Sequence, residues 1–326
     1  MSQSSRPLLI AIDLDGPVLS CIAHGEHSSR SVLEASSAIE LRVPNPPGVT
    51  VYETDRRRFV VRAQTSISSE VSMDVAARRV RQVDAALRIG AAGPQASVLV
   101  ASIPLQDYFQ SEGQASEAVQ DMELKLAEAV TRHPAPTAMN ISRFKLVPRT
   151  VGAFMDWAFD DQGMPREAGN VKQLVIVDVG MAATSVVAFD ATSHAIDHGL
   201  METHADGLAQ PLAEAARFLS SAHGVETPPG NALLQAMADG IYRYRGRSFS
   251  ITGALQPLLA THAEWVLALI SDRAPTAQVV VVGIGAKPVA ELLAGKGLTV
   301  RVPETPEHAN ARGMAKFAVL VWKEGL

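Results

Sequence analysis

The 326-residue chain contains one cysteine, Cys21, so it cannot form an intrachain disulfide, and nothing argues against a reducing compartment. Cys21 ends an apolar stretch and is expected to pack rather than react. Excess basic charge is also missing. The net charge of -5 and pI near 6.0 give no general attraction to nucleic acid or to an anionic membrane. No apolar run approaches the ~18 residues of a membrane span. Residues 1–7 are polar and the first apolar run, 8–12, is only strand length, so no leader is expected and the chain reads as soluble and cytoplasmic. There is no Gly-x-Ser-x-Gly elbow and no Cys/His pairing of the kind acyl transfer uses. His24 and His27 are three apart, but Gly25 between them and the lack of a nearby ligand pattern speak against a metal site.

What is present suits two domains of roughly 150 residues. With 47% hydrophobic and 19% charged residues, the chain can bury a large core. Short apolar runs bounded by Gly, Pro or Asp predict buried strands at 8–13, 96–104, 174–178 and 279–283, with a weaker one at 298–302. Runs at 49–52 and 59–62 flank a polar segment and predict a hairpin, with Arg56, Arg57 and Arg58 at its solvated tip. Residues 186–190 read as the returning arm of a second hairpin. Helical spacing marks 71–89, 116–131 with Ser116 as N-cap, 208–223, 255–273 and 309–323. The polar, Gly- and Pro-containing stretch 159–170 reads as a linker. The expected class is α/β with mixed sheets, because hairpins are inserted early in each half.

Both halves open alike: an apolar strand ends in Asp and Gly follows closely, as Asp13 with Gly16 and Asp178 with Gly180. A glycine turn after a strand lets backbone N–H groups approach phosphate oxygens, and a strand-end Asp can hold the waters of a phosphate-bound magnesium ion. A third segment, residues 282–286, runs Val-Gly-Ile-Gly-Ala into a helix and allows the backbone to lie flat against a sugar or base. Together the three suggest a nucleotide between two similar domains.

This order resembles the two phosphate loops and adenosine loop of the actin, sugar kinase and heat-shock chaperone ATPases. The segment 86–109, with its strand running into Pro104-Leu105, is similar to the ParM/StbA group of bacterial plasmid-segregation actins. The 49–62 hairpin, the Lys-Leu-Val-Pro run at 145–148 and the Ala-Asn-Ala-Arg-Gly run at 309–313 share that likeness. The resemblance implies an actin-like two-domain fold, with 1–160 and a C-terminal helix at 306–326 forming the first domain and 161–305 the second. It also implies ATP and Mg2+ in the cleft, filament formation, and an adaptor protein that reads centromere-like DNA while the filament protein touches no nucleic acid itself. Asp13 and Asp178 would then hold metal waters, Gly16 and Gly180 would donate to phosphate, and Gly283, Gly285 and Ala286 would face adenosine. Thr184 would offer a hydroxyl, and Gly207 matches a glycine at the start of the second domain's helix.

Several positions depart from that pattern. Asp15 stands where the first loop has glycine, and Ser20 where it has lysine. Met181 and Ser185 replace a glycine and a carboxylate of the second loop. Arg149 follows Pro148 where the family often has the glutamate that polarises water, and an arginine cannot act as a base. A scaffold of the same fold without the ATPase is therefore the alternative, and a small-molecule kinase is a more distant one. Residues 240–246 alternate aromatic and basic residues, placing Tyr242 and Tyr244 on one face of a strand and Arg243 and Arg245 on the other. This is read as a peripheral hairpin or, alternatively, as a filament or adaptor contact.

Overall fold

The computed structural model describes residues 8–15, 18–24, 29–42, 48–63, 74–89, 97–109, 117–133, 137–138, 141–167, 169–205, 207–226 and 228–322. Gly16, His27 and Ser116 lie outside them.

In the first half, β1 (Leu8–Asp15) turns back into β2 (Val18–His24) and β3 (Ser29–Glu40). The hairpin of β4 (Val51–Thr54) and β5 (Arg57–Ala63) follows, then α1 (Val75–Arg88), β6 (Ser97–Ile103), α2 (Leu105–Tyr108) and α3 (Glu117–Leu126). Short β7 (Thr131–His133) and β8 (Thr137–Ala138) precede β9 (Ile141–Pro148). The nine strands form one sheet in the order β8-β7-β4-β5-β3-β2-β1-β6-β9. β1 is antiparallel to β2 and parallel to β6, which is in turn parallel to β9.

α4 (Arg149–Ala158) leads to the second half, with β10 (Gln173–Val179), β11 (Thr184–Asp190), β12 (Ile196–His204), α5 (Ala209–His223) and α6 (Gly230–Asp239). A separate hairpin, β13 (Ile241–Tyr244) and β14 (Arg247–Ser250), comes before α7 (Thr252–Arg273), β15 (Gln278–Val282), α8 (Ala286–Gly295), β16 (Val300–Arg301) and α9 (Ala309–Val321). The second sheet runs β12-β11-β10-β15-β16. Its pairings repeat those of β3-β2-β1-β6-β9: two antiparallel steps on one side of the opening strand and two parallel steps on the other. The duplicated strand-Asp-turn in the sequence thus reflects a duplicated connectivity.

β1 is apolar up to Asp13 because both its faces are covered. Ile10 and Ile12 pack with Val80 and Val83 of α1, whereas Leu9 and Ala11 pack with Met314, Ala315 and Ala318 of α9. β10 is buried in the same way, Val175 and Val177 on one side and Leu174 and Ile176 on the other. α4 and α9 cross at Gly152 and Gly313. A Cβ on Gly313 would fall onto the Gly152 carbonyl oxygen, so only glycine permits this approach.

Local differences from the sequence reading have physical causes. α1 begins at Val75 because Asp74 caps it, its Oδ1 accepting from the Ala76 N–H at 2.8 Å. α3 ends at Leu126 instead of reaching 131, since Thr131 and Arg132 are drawn into pairing with Glu53 and Tyr52. β3, which has few apolar residues, and α6, a short helix directly after Pro228 and Pro229, were not anticipated. The stretch 159–170 is not loose in its first part, for Asp160 Oδ1 accepts from the N–H groups of Gln162 and Met164.

Candidate functional site: the floor of the cleft

The two strand-end aspartates meet. Asp13 lies near the end of β1 and Asp178 near the end of β10, each followed in its strand by one more buried residue, Leu14 or Val179, and they are 5% and 2% exposed. Their carboxylates do not face an open space, because Arg149 lies between them. Its Nε donates to Asp13 Oδ1 at 3.0 Å, and its Nη2 lies 3.4 Å from both Asp13 Oδ2 and Asp178 Oδ2. Asn310, buried in the first turn of α9, donates through Nδ2 to Asp13 Oδ2 at 3.1 Å and to Asp178 Oδ2 at 3.0 Å. Pro148 starts α4 and so fixes where Arg149 emerges, while the α4–α9 crossing fixes Asn310 opposite it.

Other charges converge nearby. Arg78 of α1 donates to the Ser102 carbonyl. Burial pulls its guanidinium down to about 10, against the attraction of Asp13 and Asp107, so it is still a cation at neutral pH. Ser20 hydrogen-bonds His308 Nδ1 at 2.7 Å, and burial holds that imidazole below its ordinary range. On the outer side of α4, Asp156 accepts from Arg312 Nη2 at 2.7 Å and from Lys316 Nζ at 2.8 Å, riveting α4 to α9.

Among the described residues, the glycines expected to meet a ligand are spent on the chain itself. Gly180 N–H donates to Ala183 O, and the carbonyls of Gly180 and Met181 accept from Leu208 and Ala209 at the start of α5. Met181 is fully buried, and Gly207 is glycine because a Cβ there would overlap the Met181 carbonyl. Gly283 has φ +87 and donates to Pro306 O; a Cβ on it would come within 2.7 Å of Asp178 Oδ1. Gly285 N–H donates to Val179 O, and its missing Cβ leaves room for Val179 and Leu208. Ala286 is buried at the start of α8, and Thr184 is buried opposite Val179. The aspartates and Gly283 are therefore brought together, while Gly207, Gly180, Gly285 and Thr184 surround the second turn.

A magnesium ion between Asp13 and Asp178 does not fit these residues. The inward oxygens already receive one guanidinium and one amide. At about 4 Å and an effective dielectric near 20, a guanidinium and a divalent ion repel by roughly 8 kcal/mol. Among the described residues no group of three or more His, Cys, Asp or Glu could hold a metal, and no helix is long and apolar enough to cross a membrane. Asn310 and Arg78 were not anticipated as cleft residues. The usable signal was the Arg149 substitution after Pro148, which replaces a negative group by a positive one between two carboxylates.

The 240–246 segment forms the first arm and the turn of a hairpin as expected, but Arg245, at φ +48, sits in the turn and does not share a strand face with Arg243. Tyr242 and Tyr244 stack on one face with centroids 6.4 Å apart, and Arg243 pairs with Asp239 at 2.6 Å.

No protein-family model and no curated protein sequence matches the chain. Solved structures do. A 15-stranded ParM filament from Clostridium botulinum is 16% identical at TM-score 0.65, over 96% of this chain and 99% of that one. An archaeal actin homologue in complex with ADP is 16% identical at TM-score 0.65, covering 95% and 99%. The apo ParM protein of pSK41 is 12% identical at TM-score 0.65, covering 98% and 99%. The chain therefore has the two-domain actin-like fold. ParM proteins, bacterial relatives of actin, are among the structures that share it across nearly their whole length.

Proposed function

We propose that this chain is a self-associating, filament-forming actin-like protein whose cleft is held by its own charges rather than by magnesium and ATP. One observation carries the second part: Arg149 joins Asp13 to Asp178 at 3.0–3.4 Å, in the position a metal and its waters would need. The first part is supported by the full-length likeness to a ParM filament. Closure at the floor is matched at the mouth, where Leu33 of β3 packs against the core of the second half.

The other reading is a Mg-ATP-switched cytomotive filament that segregates plasmid DNA through an adaptor on a centromere-like site. It is favoured by the ADP complex of the archaeal actin homologue and by the retained glycine turns. Right-angle light scattering with magnesium and ATP, ADP or no nucleotide, followed by negative-stain imaging, separates the two. Equal assembly in all three is the expected result. A rise with ATP alone would establish the switched filament, and no assembly under any condition would remove the filament claim.

A further inference from the structure

We infer that the cavity at the far end of α4 binds an aromatic acid, a flat apolar ring carrying one carboxylate or sulfonate. The inference needs neither a nucleotide in the cleft nor assembly. It also stands apart from Asp13 and Asp178, because Trp157 lies two helical turns beyond Arg149, about 12 Å along the helix.

The cavity encloses about 450 Å³, within the size range of small-molecule sites. One flank of α4 leans on β11, where Phe154 stacks on Phe189 with centroids 4.3 Å apart. The cavity opens at the flank that carries Ala153 and Trp157, where Val280 and Val282 of β15 supply further apolar lining.

Three observations select the ligand. First, Trp157 is half-buried and packs 6.2 Å from the Phe154 ring, which gives a flat ligand ring an aromatic surface to lie on. Second, positive charge is in excess. Arg166, Arg301, Arg312 and Lys316 line the cavity against Asp156, Asp161 and Glu304. Asp156 is matched by Arg312 at 2.7 Å and Lys316 at 2.8 Å, and Lys316 also lies 3.7 Å from the exposed Asp161. Among the described residues Arg166 and Arg301 form no ion pair, and the exposed Glu304 pairs with neither. On a chain of net charge -5 such a local surplus favours an anion, and each guanidinium can meet an oxyanion through two parallel N–H donors.

Third, the two arginines are held in place by backbone. Phe159 bridges Pro165, and the Arg166 N–H donates to Ala158 O at 2.8 Å. Arg301 is paired with Val280 in the β15–β16 ladder, so both side chains stand on one face of the sheet. Cations fixed in this way lose less freedom on binding. Trp157, Arg166 and Arg301 also line a neighbouring cavity of about 1070 Å³. Gln278 lines that second cavity, and its Nε2 donor is buried without a hydrogen-bond partner. The acid group therefore belongs at the boundary the arginines share, with its ring in the smaller cavity.

The test uses the full chain without nucleotide, at concentrations where it is not assembled. The probe is 8-anilinonaphthalene-1-sulfonate, followed by its fluorescence rise and by energy transfer from tryptophan. The wild-type protein is expected to bind one equivalent saturably and to release it to indole-3-acetate. Acetate and uncharged indole should each displace it at least about tenfold less well. Arg166→Ser combined with Arg301→Ser is expected to weaken the probe at least about tenfold and leave the unfolding midpoint unchanged, since both arginines are exposed. Trp157→Leu should lower affinity and energy transfer together. A wild-type protein without a saturable site would overturn the proposal. So would binding that the double variant leaves intact, because the probe then sits elsewhere. Displacement by indole as effective as by indole-3-acetate would leave only an apolar hole, and equal displacement by acetate only a bare anion site; the proposal falls in either case. If the double variant does not fold, Arg166→Glu decides alone, because Arg166 lies outside every helix and sheet. A tenfold loss there sustains the proposal and retained affinity overturns it. None of these outcomes depends on filament formation, so they are separable from the light-scattering result.

Discussion

The two halves of the molecule share one connectivity but are held together by different physics. Around β10 the second half relies on shape: Gly207 and Gly283 let backbone lie against backbone, Gly285 makes room for the Val179 and Leu208 side chains, and Met181 and Leu212 fill what remains. In the first half an apolar core around β1 is supplemented by charge where α1 meets β3, the β4–β5 hairpin and α3. Arg79 of α1, almost wholly buried, donates to Thr54 Oγ1 and the Lys125 carbonyl and pairs with Asp55 and Glu128. Asp84 accepts from Tyr52 and pairs with Arg88, which also reaches Glu34. The same topology can therefore be stabilised by interlocking backbone or by a polar network, and the two should fail differently.

The largest effect is expected in the charged half. Arg79→Ala removes the shared donor for four acceptors, leaving the buried Thr54 hydroxyl and the Lys125 carbonyl without it while Asp55 and Glu128 stay half exposed, and should cost about 3 kcal/mol, read from urea unfolding. A loss under about 1 kcal/mol would mean that the network is decorative and the halves are alike. Next, Gly207→Ala should cost about 2–3 kcal/mol by forcing the Met181 turn away from α5. Its mark is loss of amide protection in residues 179–184 rather than in the first sheet. Tyr52→Phe deletes one buried hydrogen bond to Asp84 and should cost about 1 kcal/mol.

The smallest effect concerns pH. Burial lowers the His308 pKa from its ordinary 6.5, so the unfolded chain takes up this proton more readily than the native one. The stability linked to His308 is complete above that value and declines as pH falls through the window beneath it. Glu307 and Asp13 oppose the shift, and Arg312 adds to it. His308→Gln should flatten the fall in unfolding midpoint on acidification, whereas an unchanged slope would assign it to other groups.

Much of the architecture was legible because it follows from burial. Runs such as 174–178 and 279–283 are apolar on both faces, and only covered strands tolerate that. The paired Asp-turns disclosed the duplication for the same reason. The polar network was harder to read. Arg78, Arg79 and Arg81 look like a solvated helix face, yet all three are buried, and no spacing rule tells a buried arginine from an exposed one. The cleft fell between these cases. Asp13 and Asp178 were identifiable as neighbours, but what they hold depends on Arg149 and Asn310, which are 136 and 297 residues from Asp13 in the chain. Gly180, Gly283 and Gly285 were recognisable as close approaches; that their amides serve the chain itself appears only in three dimensions.

The crossing of α4 and α9 has a bearing on how relatives of this chain could be found. In each helix the residue reaching the cleft precedes the crossing glycine by three: Arg149 and Gly152, Asn310 and Gly313. Three residues make nearly one helical turn, so each pair shares a face and the two glycines set the depth to which both polar groups project. A Cβ on either glycine would lift one helix off the other and withdraw its partner from the aspartates. Residue changes in the two Asp turns, at positions such as Asp15 and Met181, would leave that register undisturbed. A polar residue followed at the third position by glycine, once after the ninth strand and once near the end of the chain, is thus a tag by which distant copies could be recognised when the turns no longer match.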